Sequence, residues 1–207
     1  MTELWPSRTM AAMARATHHP PCRVSARIFS GCGFTLVELL LVLAIGAILT
    51  LIAVPSMSGF LSSQKVSSLS AVFLSSLNLA RSEAIKRNAR AVLCRSANGL
   101  SCGGSGGWEQ GWIVFHDANN NAQADPGETI VLQQAVLVSG PRLSGNAQVA
   151  NYVSFSASGS AKLVSGAFQA GTFTLCPGSA ASSDVRQIIL SSTGRARSQS
   201  GSAADCP

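Results

Sequence analysis

The sequence predicts an α+β fold: a long N-terminal helix, membrane-spanning in its first part and amphipathic in its second, packed on an antiparallel β-sheet globular domain. Three observations carry that expectation. Residues 34–54 form an apolar run with a single ionisable residue, apolar positions between Val66 and Ala84 recur every three or four residues, and beyond Asn88 the apolar period becomes two. With 207 residues, 46% hydrophobic and only 12% charged, the chain is too apolar for a disordered tail and too short for several large domains.

The charge is uneven. Lys and Arg number 15 against 9 Asp and Glu, a net +6, and residues 1–33 hold Arg8, Arg15, Arg23 and Arg27 against Glu3 alone. The rest carries only a mild basic excess, which excludes a histone-like polycation and leaves room for a local basic patch.

The run FTLVELLLVLAIGAILTLIAV, residues 34–54, has Glu38 as its one ionisable group. At about 1.5 Å per residue it is long enough to cross a hydrocarbon core of about 30 Å. A removable secretory signal has an apolar core of only about 7 to 15 residues and would not hold a carboxylate. In lipid, Glu38 costs on the order of 2.5–3.5 kcal/mol, so it needs a partner or a role.

Pro55 lacks an amide hydrogen and is expected to bend the helix, with Gly59 loosening it further. The helix is expected to continue over residues 55–90. Val66, Leu69, Phe73, Leu77, Ala80 and Ala84 make one apolar stripe, while Gln64, Lys65, Ser67, Ser68 and Ser75 fill the other faces. Strands are expected at 91–95, 111–116, 129–138, 152–157, 172–175 and 185–190, separated by clusters of Gly, Ser, Asn and Pro. Strands that follow one helix without further helical patterns indicate α+β rather than alternating α/β.

Six cysteines stand at Cys22, Cys32, Cys94, Cys102, Cys176 and Cys206, the first two in the basic N-terminal segment. There is no CxxC pair, and a zinc site would have to recruit His116, so disulfides in an oxidising compartment are expected and no metal. Four cysteines allow three pairings, and sequence alone does not choose among them. The short Asn-Gly loop between Cys94 and Cys102 favours that pair, and Cys176 with Cys206 would tie down the polar tail.

Gly33 followed by Phe34, Thr35, Leu36, Val37, Glu38 and an apolar run resembles the processing site of type IV pilins and type II secretion pseudopilins. The resemblance implies cleavage after Gly33 by a prepilin peptidase and methylation of the Phe34 amine. It also implies a task for Glu38, whose carboxylate would neutralise the amine of a neighbouring subunit during assembly, two charges that are tolerable in lipid only together. A leader of 33 residues is long for this family, and Met10 and Met13 are alternative starts.

A second resemblance extends the first. Ala80-Arg81-Ser82-Glu83-Ala84-Ile85-Lys86-Arg87-Asn88, then Val92-Leu93-Cys94, then Trp108-Glu109-Gln110-Gly111-Trp112-Ile113-Val114-Phe115-His116-Asp117 are similar to the GspH/FimT branch of pilin-like proteins. Gly194-Arg195-Ala196-Arg197 is similar to the GRxR element of FimT-type minor pilins, which bind DNA in natural transformation. In an extended segment Arg195 and Arg197 point to one side about 6.5–7 Å apart, within reach of phosphates of one backbone. Arg186 and Lys162 extend this patch if the fold brings them near. The alternative is an edge strand protected from aggregation by charge.

Two further patterns match known motifs only in part. Asp117, Asn119, Asn121, Asp125 and Glu128 follow the spacing of a calcium loop, but Ala122 replaces the usual glycine and strands rather than helices flank it, so a polar hairpin loop is expected. Residues 103–107 satisfy G-x-S-x-G only through a glycine run with no helix behind it. His116 is expected as a strand-end residue, and nothing suggests an enzyme or a cofactor.

The resulting expectation is a leader over 1–33, a transmembrane helix over 34–54, an amphipathic helix over 55–90 and a periplasmic β-rich domain over 91–207. The chain reads as a FimT-like minor pilin of the inner membrane that is built into a pilus with other pilin subunits and binds DNA without sequence preference. The alternative is a GspH-like minor pseudopilin of the type II secretion system, structural and without DNA binding.

Overall fold

Helix α1 spans Leu36–Arg87 and continues through Pro55. The computed structural model describes residues 34–103, 105–135, 140–178 and 184–206, with the side chains of 52–56 and 58 outside the description. The leader expected over 1–33, Gly33 included, lies outside the described residues, as do 136–139 at the end of the strand expected over 129–138. The chain divides into two compact units, Met1–Leu43 and Ala44–Pro207.

In the first unit Thr35 caps the helix. Its Oγ1 accepts the Glu38 amide at 3.2 Å and its carbonyl accepts the Leu39 amide at 3.1 Å, so two N–H groups at the helix start are satisfied. Glu38 sits in the first turn, where its negative charge complements the helix dipole. Every described side chain over 34–51 is exposed, Phe34 by 82%. Among the described residues, whose side chains end at 51 within the run 34–54, no helix is long and apolar enough to cross a membrane.

The second unit is built on the apolar stripe. Val66, Leu69, Phe73, Leu77, Ala80 and Ala84 are all buried in one core with residues from the β-strands. Phe73 is the centre of it, with its ring edge-on to Trp108, Trp112 and Phe173 at centroid distances of 5.3, 5.0 and 4.7 Å. Such pairs add about 0.5–1.5 kcal/mol each beyond the area they bury. The indole N–H groups are satisfied: Trp108 Nε1 donates to the Val149 carbonyl at 3.1 Å and Trp112 Nε1 to Ser76 Oγ on α1 at 3.0 Å.

Among the described residues the strands form two antiparallel sheets of four. The first has the order β3-β2-β1-β5, with β1 Ala91–Arg95, β2 Trp112–His116, β3 Ile130–Gln134 and β5 Tyr152–Phe155. Its inner face gives Leu93, Trp112, Val114, Val153 and Phe155 to the core. Its outer face is also apolar, and Val92, Cys94, Ile113 and Phe115 bury Ala122 of the 117–128 loop. Both faces being covered explains why β1 and β2 read as continuous apolar runs rather than alternations.

The second sheet has the order β4-β6-β7-β8, with β4 Arg142–Gly145, β6 Gly171–Cys176, β7 Val185–Leu190 and β8 Ala196–Gly201. Leu143, Phe173, Leu175, Ile188 and Leu190 point to the core, and Ala196 packs against it. Disulfides join Cys94 to Cys102 and Cys176 to Cys206.

Candidate nucleic-acid interface

Ser191 closes the β7–β8 hairpin: its carbonyl accepts the Gly194 amide and its amide donates to the Arg195 carbonyl, both at 2.9 Å. Gly194 has φ 78°, the left-handed residue that a three-residue hairpin loop places before the second strand. Space as well as conformation demands glycine here, because a β-carbon would lie 1.9 Å from the Gly159 carbonyl oxygen. That oxygen already accepts a hydrogen bond from Arg81 Nε of α1 at 3.0 Å. Read from sequence, Gly194 suggests a mobile turn; in the structure it is buried and wedged against a neighbouring loop.

Beyond this turn the pleat sorts the side chains. Ala196 and Ser198 face inward, Ser198 Oγ lying 2.9 Å from Ser70 Oγ on α1, while Arg195 and Arg197 are exposed. The register sets Arg197 opposite Ile189. The segment from 196 is a regular strand at the sheet edge, which the sequence Ala-Arg-Ser-Gln-Ser-Gly, with no apolar alternation, does not announce.

The other two proposed patch residues are placed differently. Arg186 has the parity of Ile188 and Leu190, the core-facing side of β7, and its Nε approaches Asp184 Oδ1 at 3.3 Å without hydrogen-bond geometry. It does not share a face with Arg197. Lys162 stands next to Ala161, whose amide donates to the Ser192 carbonyl in the hairpin loop, and its Nζ sits 5.7 Å over the Phe168 ring.

The loop carboxylates are engaged by the loop itself. Asp117 accepts the amides of Asn121 and Ala122 at 3.1 and 3.0 Å, and Glu128 accepts those of Ala118 and Asp125 at 2.8 and 3.1 Å. The amides of Asn119 and Asn121 both donate to Asp125 Oδ2 at 2.8 Å, which holds its carboxyl below the usual carboxylate range. Ala122 takes the left-handed φ of 57° at the position where the calcium-loop spacing has glycine. Among the described residues no group of three or more His, Cys, Asp or Glu is arranged to hold a metal. The glycine run is tied down: Arg95 Nε donates to the Gly103 carbonyl at 3.2 Å, and its guanidinium also reaches the Gly106 carbonyl.

His116 ends β2 with both ring nitrogens buried and without a hydrogen bond, although Nε2 lies 3.4 Å from Glu83 Oε2 on α1. Burial pushes its pKa down, the Arg87 charge adds to that, and Glu83 opposes it. Glu83 is held below the carboxylate range chiefly by its hydrogen bond from Lys86, at 3.1 Å.

The fold and the capped N-terminal helix define a pilin-like protein. Residues 70–194 match the family described as type II transport protein GspH, and residues 30–54 match the prokaryotic N-terminal methylation motif. The chain belongs to the GspH family. Two crystal forms of the type IV minor pilin FimU of Pseudomonas aeruginosa are similar in structure. One is 15% identical, with a TM-score of 0.47, covering 73% of this chain and 94% of FimU; for the other the values are 16%, 0.45, 70% and 94%. No curated protein matches the sequence.

Sequence reasoning missed Arg81, Gly159 and Arg142. Gly159 lay in a Ser-rich turn, Ser156 to Ser160, with nothing to mark a close approach, and Arg142 starts a strand whose single apolar residue is Leu143.

Proposed function

We propose that this chain is a FimT-like minor type IV pilin: cleaved after Gly33 by a prepilin peptidase, anchored in the inner membrane by residues 34–54 with its β-rich domain in the periplasm, and built into a pilus where it binds DNA without sequence preference. The observation that supports DNA binding is the Arg195 and Arg197 pair, exposed side by side at a sheet edge on a hairpin that Gly194 and Gly159 hold rigid. Rigid placement lowers the ordering cost of binding, and guanidinium groups suit bidentate contact with phosphate. The continuous exposed apolar surface over 34–51 supports an environment of lipid or packed neighbouring helices, since a surface of that extent is not left in water. The role is structural, with no catalytic step.

A second reading, a type II secretion pseudopilin without DNA contact, is favoured by the description of the matching family. Binding of the full chain in detergent to duplex DNA at several salt concentrations separates the two. Arg195→Gln with Arg197→Gln is expected to lower the log–log salt slope by about 1.8, each lost phosphate contact contributing about 0.9. An unchanged slope and affinity in the folded double variant would move the secretion reading ahead.

A further inference from the structure

The register of the second sheet places a third arginine on the face that carries Arg195 and Arg197. Arg142 pairs with Cys176, Ser144 with Thr174, and Leu143 between them is buried in the core, so Arg142 and Ser144 share the outer face. Arg142 is exposed. One outer row then crosses all four strands as Ser144, Thr174, Gln187 and Gln199, and the next runs through Thr172, Ile189 and Arg197. Ser144, Thr172, Thr174 and Gln187 line one shallow depression. Ser144, Asn146, Thr172, Thr174 and Gln187 around it each carry a hydroxyl or an amide, the kind of side chain that donates to phosphate and sugar oxygens.

One carboxylate borders this face at the β4 edge, where Glu109 Oε2 accepts the Leu143 amide at 3.4 Å. Asp117, Asp125 and Glu128 belong to the loop that covers the outer face of the other sheet. The depression itself is lined by one carboxylate, Asp205, which accepts the Ser202 amide at 2.7 Å and its hydroxyl at 3.1 Å. Three arginines against two carboxylates, Glu109 and Asp205, each bonded to a backbone amide, leave the face net positive and complementary to a polyanion.

We propose that the outer face of this sheet is the DNA-binding surface, with Arg142 as a second anchor at the β4 edge and the Ser144–Thr174–Gln187–Gln199 row as the floor between the edges. The inference rests on the reading that Arg195 and Arg197 contact DNA, and adds where the duplex lies. Three strand spacings of about 4.8 Å separate β4 from β8, and four residues at about 3.3 Å separate the Arg142 and Arg197 rows, a diagonal of about 20 Å. That exceeds a major-groove width of about 12 Å, so the two anchors meet different phosphates. It also exceeds the Debye length of about 8 Å at physiological salt, so their contributions to counterion release add.

Arg186 supplies a matched control, an arginine of the same sheet on the opposite parity and beside Asp184. Fluorescence anisotropy of the full chain in nonionic detergent with a labelled duplex, over a salt series, reads the slope for each variant. Arg142→Gln is expected to lower it by about 0.9 and Arg186→Gln to leave it unchanged. Thr174→Glu, which puts a carboxylate mid-floor, is expected to weaken binding at least as much as Arg142→Gln, with melting curves reporting the fold of each. If Arg142→Gln and Arg186→Gln weaken binding equally, the effect is general charge and the face is not the surface. If the Arg195 and Arg197 double variant loses slope while Arg142→Gln and Thr174→Glu do not, the anchor assignment fails and DNA binding stands. If the double variant itself loses nothing, the functional reading fails with it.

Discussion

Arg81 on the helix donates a 3.0 Å hydrogen bond to the carbonyl of Gly159, and that same oxygen stands where a side chain on Gly194 would begin. A residue of α1, a loop glycine and the glycine of the Gly-Arg-Ala-Arg element are thus one packed unit. Gly159 is itself left-handed at φ 76° with the Ile85 side chain 2.8 Å from any added β-carbon. Helix and hairpin are locked together where the arginine pair emerges.

Gly194→Ala is therefore expected to destabilise the domain by about 3 kcal/mol, the sum of a left-handed alanine and an overlap with backbone that cannot swing away. A domain of this size would melt about 6–12 °C lower. Thermal unfolding followed by circular dichroism measures it. An unaltered melting temperature would mean that the turn is not held as described.

The helix stripe was fully legible because its six apolar positions obey one period, and all six are buried. Strands β1 and β7 were legible to the residue, since apolar runs bounded by turns leave few alternatives. Strand β8 was not, because at a sheet edge an outward arginine and an inward serine that bonds Ser70 replace the apolar alternation. Strand β4 failed for the same reason, Leu143 being its single core residue. Which arginines share a face was also beyond the sequence: parity within β7 was readable, but the pairing of β7 with β8 that sets Arg197 against Ile189, and so Arg186 on the other side, is a matter of register.

His116 predicts a pH dependence. Its pKa is lowered by burial, so the unfolded chain takes up the proton near pH 6.5 while the folded chain resists it. Stability is then full above about pH 6.5 and is lost as pH falls from there toward the lowered folded value. The lowered carboxyls of Glu83 and Asp125 act in the same direction, but only below about pH 4.5. His116→Gln is expected to flatten the melting temperature in the window just below about pH 6.5. A variant with the slope of the wild type in that window would count against it.

The Cys176–Cys206 disulfide closes a separation of 30 residues and ties the last turn, Ala203–Asp205, to the sheet. Chain-entropy reasoning gives it about 3–4 kcal/mol of stabilisation, and about 2–3 kcal/mol for Cys94–Cys102, whose separation is 8. Cys206→Ser is expected to lower the melting temperature more than Cys102→Ser. A non-reducing peptide map decides the pairing, and free thiols at these four positions would refute it.

Processing makes a prediction that a mass spectrum settles. Protein extracted from membranes of a peptidase-competent cell is expected to begin at methylated Phe34, and Gly33→Leu to retain the leader. Wild-type chains that mostly keep residue 33 would remove the pilin-type processing from the proposal.

Glu38 carries the last prediction. Its backbone amide is bound to Thr35, but among the described residues its carboxylate has no ion pair, and it is exposed on the first helical turn. In hydrocarbon such a carboxylate costs about 2.5–3.5 kcal/mol, a cost that nothing described within the chain offsets. A cationic amine on a neighbouring subunit would offset it and would itself be relieved of the same penalty. Glu38→Ala removes the cost to the single chain, so insertion and the melting temperature of the domain are expected to be unchanged. It also strands the neighbour's amine, and a loss of about 3 kcal/mol corresponds to roughly a hundredfold weaker incorporation. Quantifying the subunit in sheared filaments against the membrane pool reads that ratio directly. Equal recovery of variant and wild type would show that Glu38 does not act between subunits, and its conspicuous place in the apolar run would need another cause.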